Sequence, residues 1–389
     1  MTFLRFFSIL VFLFSWSYLI KIPLANKGSV NLLDLLIIFY LVCFLVWLWR
    51  EKKIKNFIGW LAGNKLFWLF TVFVFFVFIS WTANIKIDPW NNLGLIKSFF
   101  VLPGLFAATL PYLNRARANW FRDYLAGFLF YSSGLALASI FAFLAGQTSY
   151  DGRVSLIFQS PNQLVFLLSV GYLVSVVFLL LRKENKLLLA LSTAVHLLAI
   201  LSTHSAGAAL SVAVLTIGAA AIKKYPQAAI VIPAVAVALQ IILLLGILNT
   251  NLLLKHSSRN PFENKNSLDS RLVVHSVTER ILKNSPLLGI GPANFQKKYL
   301  DQQQEFKPYP QWAVPHSHHL FAQIWLSSGF LGLFSFAWLF VFKIKKAAKK
   351  KSLAIISLFI LSYILLHGLA DVPIWKNDVA LLFWFFIFL

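Results

Sequence analysis

Long apolar runs follow one another along almost the whole chain, separated by short polar segments. A helix needs about 20 predominantly apolar residues to cross a bilayer, and by this measure we predict about twelve spans. They lie near residues 3–21, 30–49, 65–82, 93–113, 123–145, 161–181, 187–203, 206–222, 227–249, 317–342, 353–370 and 377–389. The pattern therefore predicts an all-α, polytopic membrane protein.

The composition agrees with this prediction, because 59% of the 389 residues are hydrophobic and only 12% are charged. A water-soluble domain is far more polar. The net charge of +22 would suggest a nucleic-acid partner in a soluble protein. Here the lysines and arginines cluster in short segments between apolar runs, as the positive-inside rule describes, so we expect membrane lipids and no nucleic acid as partners.

The positions of these basic clusters predict the orientation. Alternate connecting segments carry them, at residues 50–55, 115–122, 182–186, 223–224 and 343–351. Because such segments stay in the cytoplasm, both termini are expected on the cytoplasmic side of the inner (cytoplasmic) membrane. We divide the chain into residues 1–250 with spans one to nine, an external periplasmic loop subdomain at 251–315, and residues 316–389 with spans ten to twelve.

The external loop contains a predicted amphipathic helix in the segment "DSRLVVHSVTERILKNSP". Asp269 or Ser270 is a suitable N-cap, and an apolar stripe at 272, 273, 277 and 281 follows it. Arg271, His275 and Thr278 have the spacing of one helix face. The segment "PLLGIGPANF" then predicts a turn.

Polar side chains expected at the outer face are candidates for chemistry. They are Arg153 and Asn162 before and in span six, Arg259, Arg271 and Arg280 in the external loop, and His316, His318 and His319 before span ten. Arginine binds anionic oxygens with a planar fork and keeps its proton, which suits a diphosphate. Histidine titrates near neutral pH, which suits proton transfer. Together they predict a site that holds a phosphorylated leaving group and deprotonates a hydroxyl.

Each candidate also has a simpler interpretation. An arginine beside a span commonly binds lipid headgroups, and a histidine at a helix mouth is commonly an interfacial residue. Lys97 and Asp34 lie near the outer ends of spans four and two, where snorkelling or pairing explains them without function. Alternatively, Lys97 contacts phosphate. The spacing of the three histidines, without a nearby carboxylate or cysteine, disfavours a metal.

Two histidines, His196 and His367, lie within predicted spans, and we expect each to bond to a neighbouring helix. Because the spans contain almost no carboxylates, a proton-coupled transporter is disfavoured. The sequence also lacks a GxxxxGK[ST] loop, which argues against a nucleotide-driven pump.

Four features of the chain resemble the superfamily of O-antigen ligases and O-antigen polymerases. In "HSHHLFAQIWLSSGFLGL", His318 and His319 are followed by nine residues and then by Gly329 and Gly332, similar to the family's histidine signature. The segment "SRLVVHSVTERILKNSPLLGIGPANF" is similar to its arginine-led helix and glycine turn, and "GRVSLIFQSPNQL" to its arginine before a Pro-Asn pair. The fourth feature is about twelve spans with one large external loop between spans nine and ten.

The resemblance implies a membrane glycosyltransferase that takes a glycan from a polyprenyl (undecaprenyl) diphosphate at the outer face. It passes the glycan to a hydroxyl of a lipid or glycan acceptor, without metal or cofactor and with inversion. Arg153 and Arg271 would hold the diphosphate, and His318 would be the general base. His316 and His319 would orient His318 or the sugar. Many members have an arginine at the position of Ala206, which leaves His204, Arg259 or Arg280 as candidate replacements.

Three alternatives remain open. Polysaccharide polymerases and protein O-oligosaccharyltransferases of the same superfamily share these motifs and differ in the acceptor, which includes protein for the last group. A non-catalytic protein that binds or transports lipid-linked glycans is the competing class. O-antigen ligase activity is favoured by the span count and the position of the loop.

Overall fold

The structure is a computed structural model. It describes residues 2–389 except 24–28, 116, 118–119, 150–151, 159, 182–184, 223, 226, 251–266, 303–312 and 348–352.

Helices make up most of the described chain. They are α1 (Thr2–Leu13), α2 (Leu32–Arg50), α3 (Ile54–Ala62), α4 (Lys65–Ala83), α5 (Pro89–Leu95), α6 (Leu102–Asn114), α7 (Trp120–Leu144), α8 (Pro161–Leu181), α9 (Lys186–Ser202), α10 (Ala206–Ile222), α11 (Ala228–Ile247), α12 (Ser267–Asn284), α13 (Phe295–Gln302), α14 (Leu320–Ala347), α15 (Leu353–His367) and α16 (Asn377–Phe388). A 3₁₀ helix at Ser15–Leu19 and a two-stranded antiparallel hairpin, β1 (Lys21–Pro23) and β2 (Ser29–Asn31), follow α1.

Seven of these helical segments are long and apolar enough to cross a membrane, by length and composition. Five shorter apolar helices lie at the other predicted positions, α1, α9, α10, α15 and α16. The protein is therefore an all-α multi-pass membrane protein apart from the small hairpin, while the count of twelve spans stays a prediction. The predicted first span is shorter than expected, because α1 ends at Leu13 and the 3₁₀ helix and hairpin take up the rest.

The predicted fourth span contains a π-helical turn, Ile96–Val101, between α5 and α6. Pro103 explains it, because a proline has no N–H to donate to the carbonyl four residues earlier. That carbonyl, of Phe99, instead accepts a hydrogen bond of 2.8 Å from the indole of Trp384 on α16. Lys97 and Ser98 lie in this turn, which places their side chains beside Asp34 of α2.

The helices divide into a buried centre and a lipid-facing periphery. Helices α8 and α16 are buried on almost every side. Helices α2, α4, α7 and α11 keep large apolar side chains exposed, such as Phe39, Phe75, Phe141 and Ile242. Exposed phenylalanine and isoleucine on a long helix are typical of a surface that faces lipid tails.

Candidate active site at the ends of the helices

The amphipathic helix predicted in the external loop is present as α12 and forms one wall of the site. It begins at Ser267, so Asp269 and Ser270 lie within its first turn and neither is the N-cap that we expected. The apolar residues Val273, Val277 and Ile281 are buried, as predicted. The polar residues His275 and Thr278 are buried as well, so the polar face of the helix is turned towards protein.

Two contacts at its C-terminal half fix α12 in place. The Glu279 carboxylate accepts a hydrogen bond of 3.1 Å from the backbone N–H of Thr250, just after α11, and another from the Thr250 hydroxyl. It also pairs with Lys283 one turn later. Burial by itself would raise the pKa of Glu279, but the hydrogen bonds and charge of Lys283 and the hydrogen bonds of Thr250 lower it. Glu279 therefore stays ionised and holds α12 in place.

The turn after α12 is joined to α14 through backbone atoms. The N–H of Ile290 donates to Leu326 at 2.7 Å, and the N–H of Phe330 donates to Leu287 at 3.1 Å. Gly329 interrupts the helical backbone with φ 72°, and a Cβ there would lie 2.1 Å from the carbonyl oxygen of Leu287. Only glycine combines this conformation with this approach. The glycine after the histidines therefore serves to dock the turn, which links the helix of Arg271 rigidly to the helix of His318.

The three histidines before α14 have different environments. His319 is fully buried, and its Nδ1 accepts a hydrogen bond of 3.2 Å from the N–H of Ala322, so it caps α14. This geometry favours the prediction that His319 orients the histidine segment over the prediction that it contacts a sugar. His316 is 9% exposed, and its Nδ1 accepts a hydrogen bond of 3.4 Å from the N–H of His318.

His318 differs from both neighbours. It is half-buried, its φ is 54°, and its Nδ1 makes no hydrogen bond with the described residues. A left-handed conformation costs a non-glycine residue roughly 1–3 kcal/mol and is concentrated at functional sites. An imidazole nitrogen without a partner is also unusual in a buried position. Nε2 of His275, His319 and His367 also lacks a hydrogen-bond partner among the described residues, so it is the combination of an unpartnered nitrogen with a left-handed backbone that distinguishes His318 from them.

Asp371, between α15 and α16, is the centre of the cluster. One carboxylate oxygen lies 3.3 Å from Nε2 of His316. The other lies 3.3 Å from the ammonium of Lys376 and 3.8 Å from Nε2 of His367. A ring nitrogen of His318 also lies within 4.8 Å of the Asp371 and His316 groups. Since Nδ1 of His316 accepts from the N–H of His318, the neutral ring carries its proton on Nε2, the nitrogen that faces the carboxylate.

Arg153 is held in a loop between α7 and α8. Its Nε donates to the carbonyl of Thr203, just after α9, at 2.8 Å, and a terminal nitrogen donates to the side-chain oxygen of Asn162 at 2.8 Å. The fork is therefore oriented by two helix ends. Burial lowers the pKa of Arg271, the charge of Asp371 raises it, and the charge of Arg153 lowers it further, so the three groups interact electrostatically.

The electrostatics of the site keep its histidines neutral. Burial lowers the pKa of His318, and the nearby charges of Arg271 and Lys376 lower it further, against the raising effect of Asp371. Burial likewise lowers the pKa of His316 to about 4 and that of His275 to about 3. Burial by itself would raise the pKa of Asp371, but Lys376 and the histidines hold it well below the usual range. The imidazoles are therefore proton acceptors at neutral pH.

The remaining predicted residues lie apart from this cluster. Arg280 is exposed on α12, and nine residues of helix place it about 180° from Arg271. His204 is exposed, next to the Thr203 carbonyl that binds Arg153. Lys97 forms an ion pair of 2.6 Å with Asp34, as one of our two interpretations expected. Arg259 lies outside the described residues.

Sequence reasoning missed Asp371 and Lys376, and it placed His367 against a neighbouring helix only. The segment "HGLADVPIWKND" carried a signal, because two carboxylates and a lysine stand in a short connection between apolar runs. Its proximity to the distant histidines is a tertiary property. The missing carboxylate was also the reason for disfavouring a metal.

A cation could be considered at His316, His318 and Asp371, whose ligand atoms all lie within 4.8 Å of one another. Two histidines and a carboxylate are a common zinc set. However, the Lys376 ammonium already lies 3.3 Å from Asp371, and Arg271 acts on His318. These positive charges oppose a divalent cation and favour an anionic ligand.

The comparison with known families agrees with this geometry. Residues 187–337 match the Wzy_C family model, described as O-antigen ligase. The match includes Arg271, the docked turn and all three histidines before α14, and it confirms the resemblance to the O-antigen ligase and polymerase superfamily that the motifs indicated. Over these residues the chain is therefore similar to a family of glycosyltransferase-like membrane enzymes. No curated protein matches the chain.

Proposed function

We propose that the protein transfers a glycan from a polyprenyl diphosphate to the hydroxyl of an acceptor at the outer face of the cytoplasmic membrane, as an O-antigen ligase. The observation that carries the proposal is that ligand atoms of His316, His318 and Asp371 lie within 4.8 Å of one another, in a cluster on which the charges of Arg153 and Arg271 also act. Lys376 already pairs with Asp371, so the two guanidinium groups leave an excess of positive charge, which matches a diphosphate. The lipid tail of the donor lies among membrane lipids.

In the reaction, the acceptor hydroxyl attacks the anomeric carbon and the bond from that carbon to the diphosphate oxygen breaks. His318 accepts the hydroxyl proton, and the diphosphate leaves with the bonding electrons. Arg271 and Arg153 stabilise the charge that grows on the leaving oxygen. A single displacement inverts the anomeric configuration.

Asp371 has a supporting role in this proposal. Its carboxylate lies 3.3 Å from Nε2 of His316, and Nδ1 of the same ring accepts a hydrogen bond from the backbone N–H of His318. Its negative charge also stabilises the imidazolium that forms when His318 accepts a proton. This arrangement needs no metal, since the arginines and the histidine supply charge stabilisation and proton transfer.

The test is a reconstituted transfer reaction. Purified protein would be mixed with a polyprenyl-diphosphate glycan and, separately, with lipid-core, glycan and protein acceptors, and the products analysed by mass and anomeric configuration. We expect an inverted glycosidic product on a lipid-core acceptor, unaffected by EDTA. Transfer only onto another glycan, or only onto protein, would assign polymerase or protein glycosylation. Movement of labelled donor across vesicles without any glycosidic bond would instead identify a transporter.

A further inference from the structure

A second polar cavity adjoins the cluster on the side of Lys376. It has a volume of about 200 Å³, and its lining includes Lys21, Asn31, Gln163, Trp375, Lys376 and Asn377. A neighbouring cavity of about 290 Å³ shares Asn31 and Asn377 and is also lined by Lys97. Pockets for drug-sized ligands have volumes of roughly 300–1,000 Å³. These two cavities are smaller, so each has room for about one sugar ring.

Lys376 connects the first cavity to the catalytic cluster. It binds Asp371 at 3.3 Å, and its charge acts on His318 and His316. A ring nitrogen of His318 lies within 4.8 Å of the same Asp371 carboxylate. Lys376 therefore joins the cavity to His318 through Asp371.

The cavity walls are fixed before any ligand binds. The Gln163 amide is held by the Tyr18 hydroxyl and by Asp378, the latter at 3.0 Å. The Trp375 ring packs against Phe99 and Phe100, with centroids 6.0 and 5.6 Å apart. Lys21 is exposed on β1 and makes no ion pair with any residue in the described part of the chain. Rigid amides, an indole and two lysines form a surface suited to a sugar that carries an anionic group.

We infer that this cavity is the acceptor subsite and that it selects an acidic sugar, with Lys21 and Lys376 binding its carboxylate and Trp375 packing against its ring. The inference rests on the proposed glycosyl transfer, because it names the acceptor for the same His318. It also gives Lys97 a place beside the acceptor, in the adjoining cavity, and not at the donor diphosphate.

The experiment compares two probes that differ only in charge, octyl β-glucoside and octyl β-glucuronide. Binding to the purified full-length protein in phosphatidylcholine nanodiscs would be measured without donor, so that a failure of this inference is separate from a failure of transfer. We expect the glucuronide to bind about tenfold more tightly, a typical effect of two charge-assisted contacts at a partly exposed site.

Substitutions at one lysine provide the matched controls. In Lys21→Gln the preference should fall to about threefold, because Lys376 remains, while glucoside binding is unchanged. Lys21→Arg should keep the preference, and so should Lys86→Gln, which removes an exposed lysine outside both cavities. Equal binding of the two probes would overturn the inference, as would an equal effect of Lys21→Gln and Lys86→Gln. Displacement of both probes by added phosphatidylglycerol, without discrimination between them, would show a lipid headgroup site instead.

Discussion

Two groups of polar side chains in this protein are built around histidines, one around His196 and one around His318. They differ in how completely their ring nitrogens are hydrogen-bonded. His196 on α9 is fully buried, with Nδ1 2.7 Å from the carbonyl of Ser192 and Nε2 3.0 Å from the hydroxyl of Ser132 on α7. Ser175 on α8 extends the network through a bond of 2.9 Å to Ser192. Both ring nitrogens therefore have partners, as predicted for this histidine.

The cluster around His318 has the opposite character. It contains a nitrogen without a hydrogen-bond partner in the described chain, a left-handed residue and charged neighbours. Satisfied buried polar groups hold helices together, whereas unsatisfied and strained ones persist where substrate or proton completes them. The difference separates a structural histidine from a reactive one.

The sharpest test of that difference is His318→Ala. Loss of a general base typically costs 10²–10⁴-fold in rate, so we expect transfer in the reconstituted assay to fall by about 10³-fold. Donor binding and the thermal unfolding temperature should change little. Full activity in this variant would remove His318 from the mechanism.

The next effect concerns two arginines of one helix. Arg271→Ala should reduce kcat by about 10²–10³-fold, the usual cost of losing one donor to a developing negative charge. Arg280→Ala, on the opposite face of α12, should stay within about threefold of wild type, a surface effect. Steady-state kinetics on both purified variants would measure the two losses in kcat. Equal losses would contradict the assignment of Arg271 to the diphosphate.

Substitution of the central carboxylate should have a smaller effect on rate and a distinctive effect on pH dependence. Asp371→Asn removes the charge that raises the pKa of His318, so the acid limb of kcat/KM should move to lower pH. We expect a loss of about 10–100-fold, because one buried charged hydrogen bond is worth roughly 1.5–3 kcal/mol. If the acid limb of kcat/KM stayed at the same pH or moved to higher pH, Asp371 could not be the negative charge that acts on His318.

The wild-type pH profile tests the same site without substitution. His318 must be neutral to accept a proton, and its pKa is lowered from the ordinary value of 6.5. Activity should therefore be retained as the pH falls through 6.5 and be lost only at lower pH. Bound diphosphate adds negative charge and raises the pKa of His318. The acid limb of kcat should therefore lie at higher pH than the acid limb of kcat/KM. Coincident limbs at or above 6.5 would contradict the electrostatic environment described.

The smallest effect on activity is expected at the satisfied cluster. His196→Ala removes the ring contacts with Ser192 and Ser132, while the Ser132 hydroxyl keeps its hydrogen bond to the Leu129 carbonyl, and we expect a cost of about 1–3 kcal/mol in stability. Thermal unfolding in detergent should shift downward, while transfer per folded molecule stays within about twofold. A large loss of turnover with unchanged stability would mean that the comparison of the two clusters is wrong.

The sequence alone determined the apolar helices and the amphipathic helix α12, and it identified Arg153, Arg271 and His318 as candidates, because these depend on local pattern and motif. A run of apolar residues must bury its backbone polar groups in a helix wherever it meets lipid. Only the tertiary structure decided that Asp371 and Lys376 meet His316 and His318, that His319 caps a helix, and that Arg280 faces away from Arg271. These facts depend on how distant helix ends and helix faces are oriented against one another, which no local pattern specifies.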